Sequence, residues 1–310
     1  MGSSSSTSLV SLLLPCLFSL LLLRLSTHLN PDPTAAAPRF KRTPPLPLRF
    51  RHDGAFKILQ VADMHFGNGA ATRCRDVAPE VGGARCSDLN TTRFLRRVIE
   101  AERPDLIAFT GDNIFGGSAS DAAESLLRAI SPAIEYKVPW AAILGNHDQE
   151  STMTREELMV FMSLMDYSQN LHAPAFAFFH IPIPEVRGLW YTGFKGQYQE
   201  GVACSTVNSG VLDTLTSMGD VKAVFLGHDH LNDFCGDLNG IWFCYGGGFG
   251  YHAYGRPHWP RRARVIHTEL KKGQKSWVEV ESIHTWKLLD DEKLTKIDEQ
   301  VLWRRSSIRL

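Results

Sequence analysis

The chain shows no imbalance of charge: its 310 residues carry 33 Lys and Arg against 33 Asp and Glu, for a formal net charge of +0. With no basic excess and no long basic run, a nucleic-acid partner held along its phosphates is excluded as the main function. Internal repeats are absent, and a 44% apolar content argues against wholesale disorder. Cysteine is scarce, with six residues.

Only one long apolar run is present, Leu9 to Leu23, interrupted by Pro15 and closed by Arg24. It is shorter than the ~20 residues of a membrane span and reads as the core of a signal peptide over residues 1–27. An uncleaved signal anchor is the competing reading. Met1-Gly2 with Ser6 also fits an N-myristoylation pattern, a match that the neighbouring export-type core makes accidental. Residues 28–50, rich in Pro, Ala and Thr, suit an extended linker; a folded body over 51–289 and a charged tail over 290–310 are expected to follow. Export would leave no stable membrane span once the signal is removed, and it opens the sequon Asn90-Thr91-Thr92 to glycosylation.

Export also implies an oxidising compartment. Cys235 and Cys244 flank the turn pair Asn239-Gly240, and a two-residue turn sets them opposite each other at a non-hydrogen-bonded site, within disulfide range. Cys74 and Cys86 flank a Gly-rich loop and form the next pair, leaving Cys204 free. The alternative is a set of buried thiols.

From Phe56 onward, short apolar runs alternate with amphipathic stretches, the pattern of an α/β fold whose sheet begins parallel. Strands are expected at 56–62, 105–110, 139–144, 175–179 and 221–226, and helices at 88–101, 120–136 and 154–165. Leu158, Phe161, Met162 and Met165 would form the buried stripe of the last helix. After the cysteine hairpin, 264–270 and 277–283 alternate with period two, an antiparallel signal. Polar clusters follow the strands: Asp63 and His65, Asp112, Asn146 and His147, His180, then His228 and His230. Gly145-Asn146-His147-Asp148 alone is equally a turn, and a single histidine is more often structural than catalytic. Five such strand ends reverse that judgement, because an α/β sheet gathers its strand ends at one edge. Mixed imidazole and carboxylate donors suit Zn, Fe or Mn better than Ca.

The ordered set Asp63-Met64-His65, Gly111-Asp112, Gly145-Asn146-His147-Asp148, His180 and Gly227-His228-Asp229-His230 resembles the calcineurin-like metallophosphoesterases over about Lys57 to Tyr254. Flanking text such as Tyr245-Gly246-Gly247-Gly248-Phe249-Gly250-Tyr251-His252 is similar to the small, single-domain purple acid phosphatase relatives of plants. The resemblance implies a two-sheet β-sandwich flanked by helices, with a dinuclear site at the C-terminal strand ends. It further implies a small phosphate-ester substrate and a secreted or vacuolar destination. One metal would be held by Asp63, His65 and His230 and the other by Asn146, His180 and His228, with Asp112 bridging. A hydroxide between the two metals would attack phosphorus, while His147, oriented by Asp148, serves the leaving oxygen. His252 would contact substrate or, equally, pack a loop.

Two departures stand out. The iron-binding Tyr of the coloured relatives is replaced by Phe115, so metal binding is expected without the colour. The span from Asp148 to His180 has room for one helix and one strand, which points to a missing segment near Ser168-Gln169 and to a catalytically defective relative as the alternative function. Non-reducing peptide mapping is expected to link Cys235 to Cys244 and leave Cys204 alkylatable; alkylation of both hairpin cysteines would contradict the pairing.

Overall fold

A computed structural model describes residues 48–83, 85–169 and 176–305. The expected signal peptide and all but the last three residues of the expected linker lie outside these. Ten strands form two sheets: β1 (Ala55–Val61), β2 (Leu106–Thr110), β3 (Trp140–Ile143), β4 (Phe176–Phe178), β5 (Ala223–Leu226), β6 (Cys235–Leu238), β7 (Ile241–Tyr245), β8 (Arg262–Lys272), β9 (Trp277–Leu289) and β10 (Lys296–Arg304). One sheet has the order β10-β9-β8-β1-β2-β3 and the other β4-β5-β7-β6. β1, β2 and β3 run parallel, as do β4, β5 and β7, so their C-terminal ends leave each sheet in one direction.

Both faces of the central strands are buried, which is why their sequences read as continuous apolar runs. On β1 and β2, Leu59, Val61, Ile107 and Phe109 pack with α1 (Leu89–Glu102), α2 (Ala122–Glu135) and α3 (Arg155–Leu164). Ile58, Leu106 and Ala108 point the other way and meet Ala223 and Phe225 of β5, together with Cys235 and Cys244, between the sheets. Val224 and Leu226 form a third core with Leu189 of α4 (Leu189–Thr192) and with Leu212 and Leu215 of α5 (Val211–Met218). The result is a helix-flanked two-sheet sandwich. Cys235 and Cys244 face each other in the hairpin register and are bonded, as are Cys74 and Cys86; Cys204 is free. Among the described residues no helix is long and apolar enough to cross a membrane.

Residues 290–310, expected to form a tail, instead contribute β10, the edge partner of β9. Its charged, weakly alternating sequence hid it. Leu302 enters the inter-sheet core, and Asp298 binds Lys287 Nζ at 2.7 Å, Lys287 in turn binding Asp233 at 2.6 Å. Asp233 also pairs with Arg262, and its carbonyl accepts from Arg264 and Lys287. This buried network ties the loop after His230 to the C-terminal strands. At the other end of the expected domain boundary, Leu48 packs into the inter-sheet core and Phe50 lies against Phe56.

α3 begins with a capping box in which Thr154 and Glu157 satisfy each other's backbone N–H. Leu158, Met162 and Met165 are buried and Phe161 partly so, while Met159 and Val160 on the remaining surface are 59% and 60% exposed. After it, Trp140 N donates to Tyr167 O and Gln169 N to Trp140 O, a parallel bridge between Ser168 and Trp140 of β3.

Lys287→Met leaves Asp233 and Asp298 short of a buried cation. Denaturant unfolding is expected to show a loss of about 3–5 kcal/mol, and truncation after Asp290 a loss at least as large.

Candidate metal centre

Each polar cluster follows the C-terminal end of a parallel strand: Asp63 and His65 follow β1, Asp112 β2, Asn146 and His147 β3, His180 β4, and His228 and His230 β5. The chain turns sharply there, with positive φ at Asp63 (56°), His65 (47°), Asp112 (49°) and His228 (77°). Left-handed backbone is uncommon outside glycine, Asp and His tolerate it better than most residues, and its concentration at one site points to a local constraint. Gly145 is needed for another reason: a Cβ there would collide with the carboxylate and backbone nitrogen of Asp112.

Two groups of side chains converge, Asp63 with His65 and His230, and Asp112 with His180 and His228. Asp112 Oδ2 joins them, 3.3 Å from His65 Nε2 and 3.2 Å from His180 Nε2. His230 Nε2 is 3.5 Å from Asp63 Oδ1, and Asn146 Oδ1 is 3.1 Å from His180 Nε2. All seven residues expected as ligands are thus brought together, Asn146 and His180 included, across the shortened span.

The carboxylates also hold the loops: Asp63 Oδ1 accepts from His228 N at 2.9 Å, and the second oxygen of Asp112, Oδ1, from His147 N at 2.8 Å. Burial opposes ionisation of Asp63, yet His230 and His180 hold its pKa below the usual carboxylate range. Asp112 is held below that range as well: burial raises its pKa, and the close approach of His180 and His65 more than reverses this. Burial lowers His65 to about 4, favouring a neutral ring with a free lone pair, while Asp112 and Asp63 overcome burial at His180 and raise it to about 9.

The donor set fits a dinuclear metal site on its own chemistry. His180 Nδ1 donates to Thr110 O and His230 Nδ1 to Tyr254 O, each at 3.0 Å, which leaves both Nε2 atoms facing the carboxylates. That is how metal-binding histidines are oriented. Asp63 Oδ2 and His65 Nε2 are buried without a hydrogen-bond partner, a costly arrangement that a cation would resolve.

Two expected site residues stand elsewhere. Asp148, expected to orient His147, is wholly buried and accepts from Ile114 N (3.0 Å) and Gly145 N (2.7 Å), so it staples two loops; burial raises its pKa to about 6. The partner of His147 Nδ1 is Glu150, at 2.8 Å. His252 has both nitrogens engaged, by Arg73 O and Ser118 Oγ, and acts as a loop clasp. Asn90 sits half-buried in the first turn of α1, with Thr91 and Thr92 buried behind it. Sequence reading missed Glu150, and it missed Arg155, which donates to Leu144 O and Gly145 O from the first turn of α3. The spacing of Glu150 from His147 was the available signal. It also missed Tyr254, whose ring stacks on His230 at 3.8 Å between centroids.

The model of the calcineurin-like phosphoesterase family matches residues 56–232. The chain is 55% identical over 353 aligned positions to "probable inactive purple acid phosphatase 28" of Arabidopsis thaliana, covering 86% of this chain and 89% of that one. It is 43% identical over 380 positions to "probable inactive purple acid phosphatase 29" of the same plant, covering 95% and 96%. Both alignments exceed the 310 residues of the chain, so these relatives carry internal residues with no counterpart here. Among solved structures, a dimetal phosphatase from Danio rerio aligns with a TM-score of 0.48 and 13% identity, covering 81% of this chain and 99% of that one.

Zn or Mn is expected to raise the melting temperature of the wild type by binding the folded state alone. Gly145→Ala should abolish that rise by displacing Asp112, whereas Gly201→Ala, which meets open space, should keep it; an equal rise in both would contradict the assignment.

Proposed function

The chain belongs to the calcineurin-like phosphoesterases, and we propose that it is a metal-dependent hydrolase of small phosphate esters acting at the Asp112-centred cluster. The observation that carries this reading is the place of Asp112 Oδ2 between His65 and His180, which joins the two ligand groups into one site. Asp63, His65 and His230 would hold one cation, Asn146, His180 and His228 the second, and Asp112 both. When bound, two such ions supply Lewis-acid charge to the phosphoryl oxygens and lower the pKa of water. His147, whose backbone N–H is fixed by Asp112, would steady the leaving oxygen and supply its proton. Iron, zinc and manganese all suit the donors. Phe115 lies against His65 with ring centroids 5.5 Å apart and offers no ligand atom, so the loaded protein would lack a tyrosinate-to-iron colour. The two disulfides support an exported protein, extracellular or vacuolar, bearing a glycan on Asn90 added before α1 folds around Thr91 and Thr92.

A second reading, a metal-binding relative without useful catalysis, is favoured by the missing internal residues and by the names of the two plant relatives. The missing segment is expected near Ser168-Gln169, where the sequence spacing is short, and Met159 and Val160 of the helix just before it are exposed. Under this reading, restoring the segment raises both soluble yield and melting temperature; equal behaviour would reject it.

Hydrolysis of a generic aryl phosphate with Zn, Mn or Fe decides between the two. Turnover that Asp112→Asn and His228→Ala each lower at least ~100-fold supports the hydrolase, and activity that survives both changes rejects the site.

A further inference from the structure

We propose that Glu150 is a positioning residue that fixes the ring orientation and tautomer of His147. This rests on the reading of His147 as the group serving the leaving oxygen. Glu150 Oε1 lies 2.8 Å from His147 Nδ1, and a carboxylate can only accept there, so Nδ1 carries a proton and the working nitrogen is Nε2. In the doubly protonated ring Nε2 holds the proton given to the leaving oxygen, while Glu150 faces the cationic imidazole. The turn is built to hold this pair. Glu150 N and Gly116 N both donate to His147 O, at 3.3 and 3.2 Å, and a Cβ on Gly116 would strike Glu150. The edge of Phe115 meets the imidazole at 5.0 Å between centroids, and His65 stands on it at 5.2 Å. Ring, carboxylate and backbone therefore form one unit beside the first ligand group. Both side chains of the pair are partly exposed, 32% and 41%, and exposed ion pairs contribute little to stability. What the contact supplies is direction rather than folding energy.

The test uses the full mature chain and two variants. Glu150→Ala removes the acceptor; Glu150→Gln keeps an oxygen in place. In long-range proton–nitrogen spectra of histidine-labelled protein, wild type and Glu150→Gln should show His147 as the Nδ1–H tautomer and Glu150→Ala should shift it toward Nε2–H. With Zn or Mn and an aryl phosphate, Glu150→Ala should lower kcat about 10–100-fold with KM nearly unchanged, and Glu150→Gln should recover most of it. An unchanged tautomer in Glu150→Ala overturns the proposal, as does a Glu150→Gln variant as impaired as Glu150→Ala. If wild type shows no turnover, the hydrolase reading falls while the spectra still decide whether Glu150 sets the ring.

Discussion

Burying two carboxylates at the ends of neighbouring strands is the constraint on which the rest of this structure depends. Asp63 and Asp112 are each only 1% exposed, and buried charges persist only with partners on every side. One oxygen of each accepts a backbone N–H from a distant loop, Asp63 from that of His228 and Asp112 from that of His147. The strand ends are thereby fixed to one another by the same carboxylates that lie among the histidines. Positive φ at four of the site residues and the bare backbone of Gly145 follow from this close approach.

The scaffold behind the site is held by two further devices. On one side the Asp233–Lys287–Asp298 chain anchors the loop after His230 to β9 and β10. On the other, Arg155 reaches from α3 to the carbonyls of Leu144 and Gly145 and so steadies the loop bearing Asn146. That helix is also the last one before the shortened span. Its buried stripe is intact, Met159 and Val160 are exposed beside it, and Asn146 and His180 stand 3.1 Å apart.

Much of this was legible in the sequence because the signals were local or strongly periodic. Apolar runs ending in Asp-x-His, Gly-Asp or Gly-Asn-His give both a strand and the polar residues at its end, and the Asn239-Gly240 turn fixes the register that pairs Cys235 with Cys244. What escaped depends on tertiary contact. β10 is charged on the solvent side and owes its place to pairing with β9, to the single buried Leu302 and to the reach of Asp298, none of which leaves a periodic trace. Asp148 looks like the partner of His147 by adjacency, but neighbouring side chains in a tight turn point apart, and the residue three positions on from His147, Glu150, comes back to the ring.

The central claim is that the shortened chain still assembles one complete dinuclear site. Elemental analysis of the purified protein, loaded with Zn or Mn and then freed of excess ion, tests it most directly. Two metal ions per chain are expected, falling to one or none in Asp112→Asn. A wild-type value of one or less, or a value of two that Asp112→Asn leaves unchanged, would contradict it.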